Sequence, residues 1–150
     1  MKLRLPFLSL GLIALALSSS AQAALGGPAS TLQDDRMQLK ATAPVANNKL
    51  NFTVHEMATA DGTTVREYIS GGNVFGVAWR GPHIPNLKQL MGSYYETYTS
   101  ELAARRKGHA PVAIRRTDFV AHSGGHMRAF SGSAFVPNML PAGVTEADIQ

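Results

Sequence analysis

The fold is decided by residues 74–80, VFGVAWR, a run with apolar side chains at nearly every position. A strand of this composition is apolar on both faces, which is typical of the inside of a sheet rather than its edge. Gly81 and Pro82 end the run, because proline has no N–H to donate to a neighbouring strand. We therefore predict that residues 74–80 form the central strand.

The residues before this run alternate with a period of two. Residues 51–57 and 63–70 are rich in β-branched and aromatic side chains, and they flank Asp61-Gly62, a strong hairpin signal. Gly71-Gly72-Asn73 supplies the next turn. The pattern predicts an antiparallel hairpin that leads directly into the central strand.

The residues after the central strand have the periodicity of a helix. Asn86, with Gln89 three residues later, resembles a capping box, and Gly108 follows the cations Arg105, Arg106 and Lys107 at the far end. About 20 residues lie between these signals, a length of about 30 Å. They predict one long helix that covers the sheet with an apolar face made of Leu87, Leu90, Met91, Tyr94, Tyr98 and Leu102.

A second hairpin is expected after the helix. Residues 111–121 and 126–136 read as strands on either side of a turn at Ser123-Gly124-Gly125. The fold class is therefore α+β: an antiparallel sheet of about five strands, with the long helix packed on one face and a short helix near the N-terminus.

The short helix is expected over residues 31–40, capped by Ser30. Residues 24–28, small and glycine-rich, are expected to be a mobile lead-in, and residues 41–49 a linker. Residues 24–49 thus precede a single α+β domain at 50–150.

The first 23 residues have the three parts of a cleavable secretory signal. Lys2 and Arg4 form a positive start, residues 5–17 are apolar and uncharged, and Ala21-Gln22-Ala23 is a small-x-small cleavage site. The apolar run is about 13 residues, short against the ~20 of a spanning helix. We expect export, cleavage between Ala23 and Ala24, and a periplasmic or released protein that meets the membrane only through its leader.

Composition narrows the function classes. The chain has 150 residues, no cysteine and a formal net charge of +4. Lys2 and Arg4 carry two of those charges, so the mature part is only weakly basic and nucleic acid is not the expected partner. Without cysteine there is no disulfide, thiol chemistry or Cys-based metal site, and the hydrophobic core alone must stabilise the domain.

His122 and His126 are candidate metal ligands. If Ser123–Gly125 is a three-residue loop, the two side chains share a face and a divalent metal could bridge them with a carboxylate. If Gly124-Gly125 is a two-residue turn, they point to opposite faces and cannot share an ion. No cofactor is predicted otherwise.

Glu56 and Glu67 are candidate general acid/base residues. A two-residue turn at Asp61-Gly62 would set them opposite each other, which separates the pKa values of two carboxyl groups. A three-residue loop ending at Gly62 would instead pair Glu56 with Arg66 and His55 with Glu67. The second register is favoured, because opposed carboxylates cost energy.

The remaining candidates are ligand-binding residues at strand ends and turns. The cluster at 105–107, with His109, Arg115 and Arg116, is interpreted as a solvated helix end, and Trp79 as core or ligand platform. The weak catalytic candidates are Glu56, Glu67 and His126. The binding candidates are His55, Arg66, Tyr68, Trp79, His122, Gly124, Gly125, His126 and Arg128.

Several short blocks carry a resemblance to a known family. They are residues 24–27 (ALGG), 53–56 (TVHE), 62–63 (GT), 65–68 (VREY), 79–82 (WRGP), Leu90 with 92–94 (GSY), 123–130 (SGGHMRAF) and 141–144 (PAGV). Together they resemble an uncharacterised bacterial family, the domain of unknown function 2844 (DUF2844), over nearly the whole mature chain. The resemblance implies an exported single-domain protein and adds no catalytic residue.

The function expected from the sequence is a non-catalytic envelope or secreted protein that binds a small ligand or an envelope partner. No G-x-S-x-G elbow, phosphate loop, dinucleotide fingerprint or H-E-x-x-H motif is present. The alternative is a small hydrolase or metal-dependent enzyme that combines His122 or His126 with Glu56, Glu67 or His55. Binding of an anionic polymer would be a third possibility, recognised by its loss in salt.

Overall fold

The structure is a computed structural model that describes residues 25–105 and 110–150. The expected leader, and residues 106–109 of the basic cluster, lie outside the described residues. The strands are β1 (Val45–Asn48), β2 (Thr53–Ala58), β3 (Thr64–Ser70), β4 (Asn73–Gly81), β5 (Val112–Arg115), β6 (Val120–His126) and β7 (Ala129–Phe135). The α-helices are α1 (Leu32–Gln38), α2 (Leu87–Met91) and α3 (Tyr95–Ala104).

The fold is α+β, and its antiparallel sheet has seven strands in the order β1-β2-β3-β4-β7-β6-β5. The predicted central strand is confirmed, since β4 has three strands on each side. The expectation of about five strands is too low. Residues 45–48 of the expected linker form edge strand β1 against β2, and the expected strand at 111–121 turns back at Arg116, whose N–H donates to Phe119 O, so that it forms β5 and the start of β6.

The second hairpin turns later than predicted. His126 pairs with Ala129, so the turn is Met127-Arg128, and Ser123, Gly124 and Gly125 lie inside β6. The expected turn at Ser123–Gly125 is wrong because the apolar pairs of β6 and β7 determine the register. Ala121 lies opposite Ala134, and both are fully buried.

The long helix is broken near its start. Gly92 adopts φ 51° and ψ −123°, a conformation that L side chains rarely adopt, so α2 ends there and a 3₁₀ turn at Gly92–Tyr94 leads into α3. The helical run covers residues 87–104 and ends before the predicted Gly108. Asn86 is the N-cap as predicted, since its Oδ1 accepts from Gln89 N at 3.2 Å.

The N-terminal segment is part of the packed structure. Leu25 is 2% exposed, and its N–H donates to Leu90 O at 3.0 Å, so the expectation of a mobile lead-in is wrong. The helix is shorter than expected, and Ser30 is not its cap, because a 3₁₀ turn at Ala29–Thr31 precedes it. Backbone hydrogen bonds at Gly26 and at Thr42 hold the segment to β4 and β2 on either side of α1.

A hydrophobic core covers each face of the sheet. On the helix face, Val77 and Trp79 of β4 pack against side chains of α1, α2 and α3. On the opposite face, Phe75 and Ala78 pack against the C-terminal segment, residues 137–149, including Ile149. No helix among the described residues is long and apolar enough to cross a bilayer.

A bulge in β4 makes room for this C-terminal cover. Val74 pairs with Ile69 and Gly76 pairs with Tyr68, which leaves Phe75 as the extra residue. A Cβ on Gly76 would lie 3.3 Å from Ile149 Cδ1, so the Ile149 side chain rests on the backbone of the central strand.

Replacing Ile149 with alanine should therefore destabilise the domain as a core substitution does. We expect Ile149→Ala to lower the free energy of unfolding by about 2–5 kcal/mol, because buried apolar contacts are lost and a cavity is left. The measurement is equilibrium urea denaturation followed by circular dichroism. Leu50→Ala is the matched control, since Leu50 is 97% exposed and its change should stay within about 0.5 kcal/mol. Equal effects of the two substitutions would contradict this role of the C-terminal segment.

Candidate functional site

The first hairpin has the favoured register. Glu56 lies opposite Arg66 and His55 opposite Glu67, which confirms the three-residue loop ending at Gly62. Arg66 Nε lies 2.7 Å from Glu56 Oε2, and its Nη1 donates to the backbone oxygen of Gln150 at 2.7 Å. The predicted pairing of Glu56 with Arg66 is confirmed, and the alternative of Glu56 opposite Glu67 is wrong.

The predicted catalytic residues do not converge. Because side chains alternate along a strand, Glu67 and His55 lie on the helix face, whereas Glu56 lies on the C-terminal face with Arg66. His126 lies on β6, and four strand spacings separate β2 from β6, about 19 Å. Glu56, Glu67 and His126 therefore cannot act on one substrate atom in this structure.

His122 and His126 do not form a shared metal site. They lie four residues apart on one strand, which corresponds to about 13 Å. His122 Nε2 instead lies 2.7 Å from Glu146 Oε1, and Arg115 donates to both carboxylate oxygens of Glu146 at 2.9 and 3.0 Å. Arg115 lowers the pKa of Glu146. Nowhere in residues 25–105 and 110–150 do three His, Asp or Glu side chains meet as a metal site would require.

The structure forms a cleft of about 470 Å³ on the helix face, between the helices and strands β5–β7, here called the Trp79 cleft. Four of the predicted binding residues line it: Trp79, Gly124, Gly125 and His126. The complete lining is Trp79, Ile84, Leu87, Tyr98, Ala110, Pro111, Val112, Ser123, Gly124, Gly125, His126, Phe130 and Ser131.

The floor of the cleft depends on a close approach between Trp79 and β7. Trp79 pairs with Gly132, and a Cβ on Gly132 would lie 2.2 Å from Trp79 Cζ2. Only a glycine at this position lets the indole ring lie across the backbone. Trp79 is 3% exposed and belongs to the core, so it supports the cleft more than it projects into it.

A hydroxyl pair supplies the polar part of the cleft. Tyr98 Oη of α3 and Ser123 Oγ of β6 lie 3.0 Å apart in a hydrogen bond. Leu87 and Phe130 supply apolar side chains beside them. Among the described residues that line the cleft there is no Asp, Glu, Lys or Arg, so the arrangement can accept or donate hydrogen bonds without a fixed charge.

Two other predicted binding residues, Arg66 and Tyr68, line a separate groove of about 590 Å³ on the C-terminal face. Tyr68 Oη donates to Gln150 O at 2.8 Å and accepts from Gln150 N at 2.9 Å. Burial raises the pKa of Tyr68. The polar atoms of Arg66 and Tyr68 are therefore already hydrogen-bonded, to Glu56 and Gln150. These two side chains of the sheet hold the C-terminal segment in place. A third groove, about 490 Å³, contains His122 on the same face.

Arg128 lies in the exposed Met127-Arg128 turn, with φ 69°, outside the lining of these three grooves. His55 is half-buried on the helix face, and burial lowers its pKa. Neither residue joins the Trp79 cleft.

Sequence reasoning missed a buried polar cluster formed by Asp35 of α1, Glu67 of β3 and Gln89 of α2. Asp35 and Glu67 are each 1% exposed, and Gln89 is 4% exposed. Gln89 Nε2 donates to Asp35 Oδ1. Burial raises the pKa of Asp35 to about 7 and that of Glu67 to about 8. The available signal was a glutamate between Val65 and Ile69 on an apolar strand face, but nothing local indicated its partner.

These features define a small α+β protein with a cleft on the helix face of its sheet. Its residues 21–149 match the model of the family described as "Protein of unknown function (DUF2844)". The chain belongs to this family, as the sequence blocks predicted. No curated protein and no solved structure gives a significant match.

The approach of Trp79 to Gly132 can be tested by adding one methyl group. Gly132→Ala should lower the free energy of unfolding by about 1–3 kcal/mol, because the new Cβ forces the indole ring or the strand to move. Urea denaturation followed by the fluorescence of the chain's single tryptophan measures both the stability and the ring environment.

Gly124→Ala is the matched control on the neighbouring strand. Its Cβ would lie 3.4 Å from Pro111 Cβ, an ordinary contact, so we expect a change below about 1 kcal/mol. A Gly132→Ala protein as stable as Gly124→Ala would show that Trp79 does not lie on β7 as described.

Proposed function

We propose that this chain is an exported small protein, periplasmic or released, that binds a small uncharged ligand in the Trp79 cleft. The leader-like first 23 residues support export. Support for binding comes from the described surface, where apolar and aromatic side chains surround a few polar groups, as in small-molecule sites.

The observation that carries the proposal is the Tyr98–Ser123 hydroxyl pair beside the apolar side chains of the cleft. The cleft volume of about 470 Å³ lies within the range of about 300–1,000 Å³ common for ligand sites. A hydroxyl pair at 3.0 Å can exchange its mutual hydrogen bond for bonds to a ligand without leaving a buried charge.

The lining also indicates the class of ligand. Leu87 and Phe130 favour an apolar ring or chain, whereas Tyr98 and Ser123 favour a hydroxyl or carbonyl group. With no Asp, Glu, Lys or Arg in the described lining, an ionised ligand would lose hydration without a compensating charge. A neutral molecule with one apolar and one polar end fits this site.

Binding can be tested with the neutral fluorescent probe N-phenyl-1-naphthylamine. We expect saturable binding, observed as energy transfer from Trp79, and a Kd about tenfold higher for Phe130→Ala, equivalent to about 1.4 kcal/mol. The loss follows from removing an aromatic side chain from the cleft.

Phe52→Ala is the matched control, because Phe52 is also half-buried but lines the 590 Å³ groove on the opposite face. Its Kd should stay within about twofold of the unsubstituted value, which is far below the tenfold step. An equal or larger loss for Phe52→Ala, with both variants folded by circular dichroism, would reject the Trp79 cleft as the binding site.

Export is tested separately by the fate of the first residues. Protein recovered from the periplasm or medium should begin at Ala24 by N-terminal mass spectrometry, because small side chains at 21 and 23 suit the leader peptidase. Leu12→Arg should retain the uncleaved chain in the cytosol, since a charge interrupts the apolar run. Leu50→Arg adds the same charge at an exposed site and should be exported normally. Recovery of only intact chain from cytosol would overturn the localisation.

A further inference from the structure

The Asp35–Glu67–Gln89 cluster connects three elements that are distant in sequence. Asp35 belongs to α1, Glu67 to the sheet and Gln89 to α2, and all three are nine-tenths buried or more. A buried ionised carboxylate is costly unless it is paired with a cation or fully hydrogen-bonded. Asp35 and Glu67 are side-chain neighbours, and the charge of Asp35 raises the pKa of Glu67 further.

The hydrogen bonds of the cluster are incomplete if both acids are ionised. Gln89 donates to Asp35 Oδ1, but Asp35 Oδ2 and both oxygens of Glu67 have no donor among the described residues. An ionised carboxylate can only accept, whereas a protonated one also donates. One proton between Asp35 and Glu67 therefore supplies the donor that the cluster needs.

The charged groups around the cluster do not neutralise it. On α1, Asp34 is exposed and its charge further raises the pKa of Asp35. Arg36 is directed elsewhere, since Nε donates to Ala41 O at 3.4 Å and Nη1 to Gln33 Oε1 at 3.4 Å.

Within residues 25–105 and 110–150, the other elements contribute no cation that pairs with the cluster. On β2, His55 lies opposite Glu67, and its pKa is lowered by burial, which favours the neutral ring. On β4, the residue opposite Glu67 is Val77. On α2, the contact is the neutral Gln89, and Lys88 is exposed.

We propose that Asp35 and Glu67 share a proton that holds α1 against the sheet, and that loss of this proton to solvent releases α1. The anchors on either side support a local release. Gly26 N–H donates to Val74 O at 2.8 Å before α1, and Thr42 N–H donates to Ala58 O at 2.8 Å after it. Helix α1 can therefore leave the sheet while β2 and β4 keep their neighbours.

The direction of the pH effect follows from the proton count. When α1 is released, both carboxyl groups meet water and ionise near pH 4. When α1 is bound, the pKa of Glu67 is raised to about 8 and the pair keeps at least one proton. The closed state thus binds more protons than the open state between about pH 4 and 8, so closure weakens as pH rises.

Hydrogen exchange of the Leu39 amide measures this opening, because Leu39 N–H donates to Asp35 O at 2.8 Å. In the purified protein, the protection factor of Leu39 should fall at least about tenfold per pH unit between pH 5.5 and 7.5. Each proton that the closed state binds and the open state releases contributes one such factor of ten per pH unit. The amide of Val77 in the central strand should stay at least about tenfold more protected than that of Leu39 at each pH, since release of α1 leaves the sheet closed.

Glu67→Gln should abolish most of the pH dependence of Leu39 protection, to below about threefold over the same range, because the amide keeps a donor for Asp35 and releases no proton. Asp35→Asn is a second variant with the same expectation, and circular dichroism confirms that each is folded. Asp34→Asn is the matched control, since it removes an exposed charge one residue away and should retain the fall.

Three results would overturn the proposal. They are a Leu39 protection factor that is constant with pH, an unchanged fall in a folded Glu67→Gln protein, and a Leu39 protection factor equal to that of Val77, which would indicate global unfolding instead of release of α1. None of these measurements involves the Trp79 cleft, so the proposed ligand binding stands or fails independently.

Discussion

The structure depends on the burial of β4 from both sides. Val77 and Trp79 face the helices, whereas Phe75 and Ala78 face the C-terminal segment, and all four are at most 3% exposed. A strand with two apolar faces needs a cover on each, and this chain uses helices on one and an extended tail on the other. The bulge at Phe75 adapts the strand to both covers.

The cleft is a consequence of the same constraint. Trp79 must be buried on the helix face, and Gly132 on β7 leaves the space into which the indole ring fits. Strands β6 and β7 are rich in serine and glycine, so few large side chains cover this end of the sheet. The space left between α3 and the central strand is the cleft. The core packing of one large residue thus shapes the surface on which we place ligand binding.

The glutamates of the first hairpin show how far cross-strand reasoning extends. It correctly paired Glu56 with Arg66, because opposite charges on adjacent strands attract and the turn residues favoured that register. Opposed carboxylates cost energy and were expected to be avoided, yet Glu67 lies beside the carboxyl group of Asp35 from α1. Burial raises the pKa of Glu67, so this carboxyl group keeps its proton more readily and the repulsion between the two acids is reduced.

Local sequence was enough for the α+β class, the central strand, the Asn86 cap and family membership, and it favoured the first hairpin register that the structure has. Each of these depends on neighbours within a few residues or on short blocks of sequence. The packing of whole elements was needed to establish the Met127-Arg128 turn, the two additional strands, the C-terminal cover and the partner of Glu67. Asp35 and Glu67 are 32 positions apart, and Trp79 and Gly132 are 53 apart. Contacts at such separations follow from how whole elements pack, and local periodicity carries no information about them.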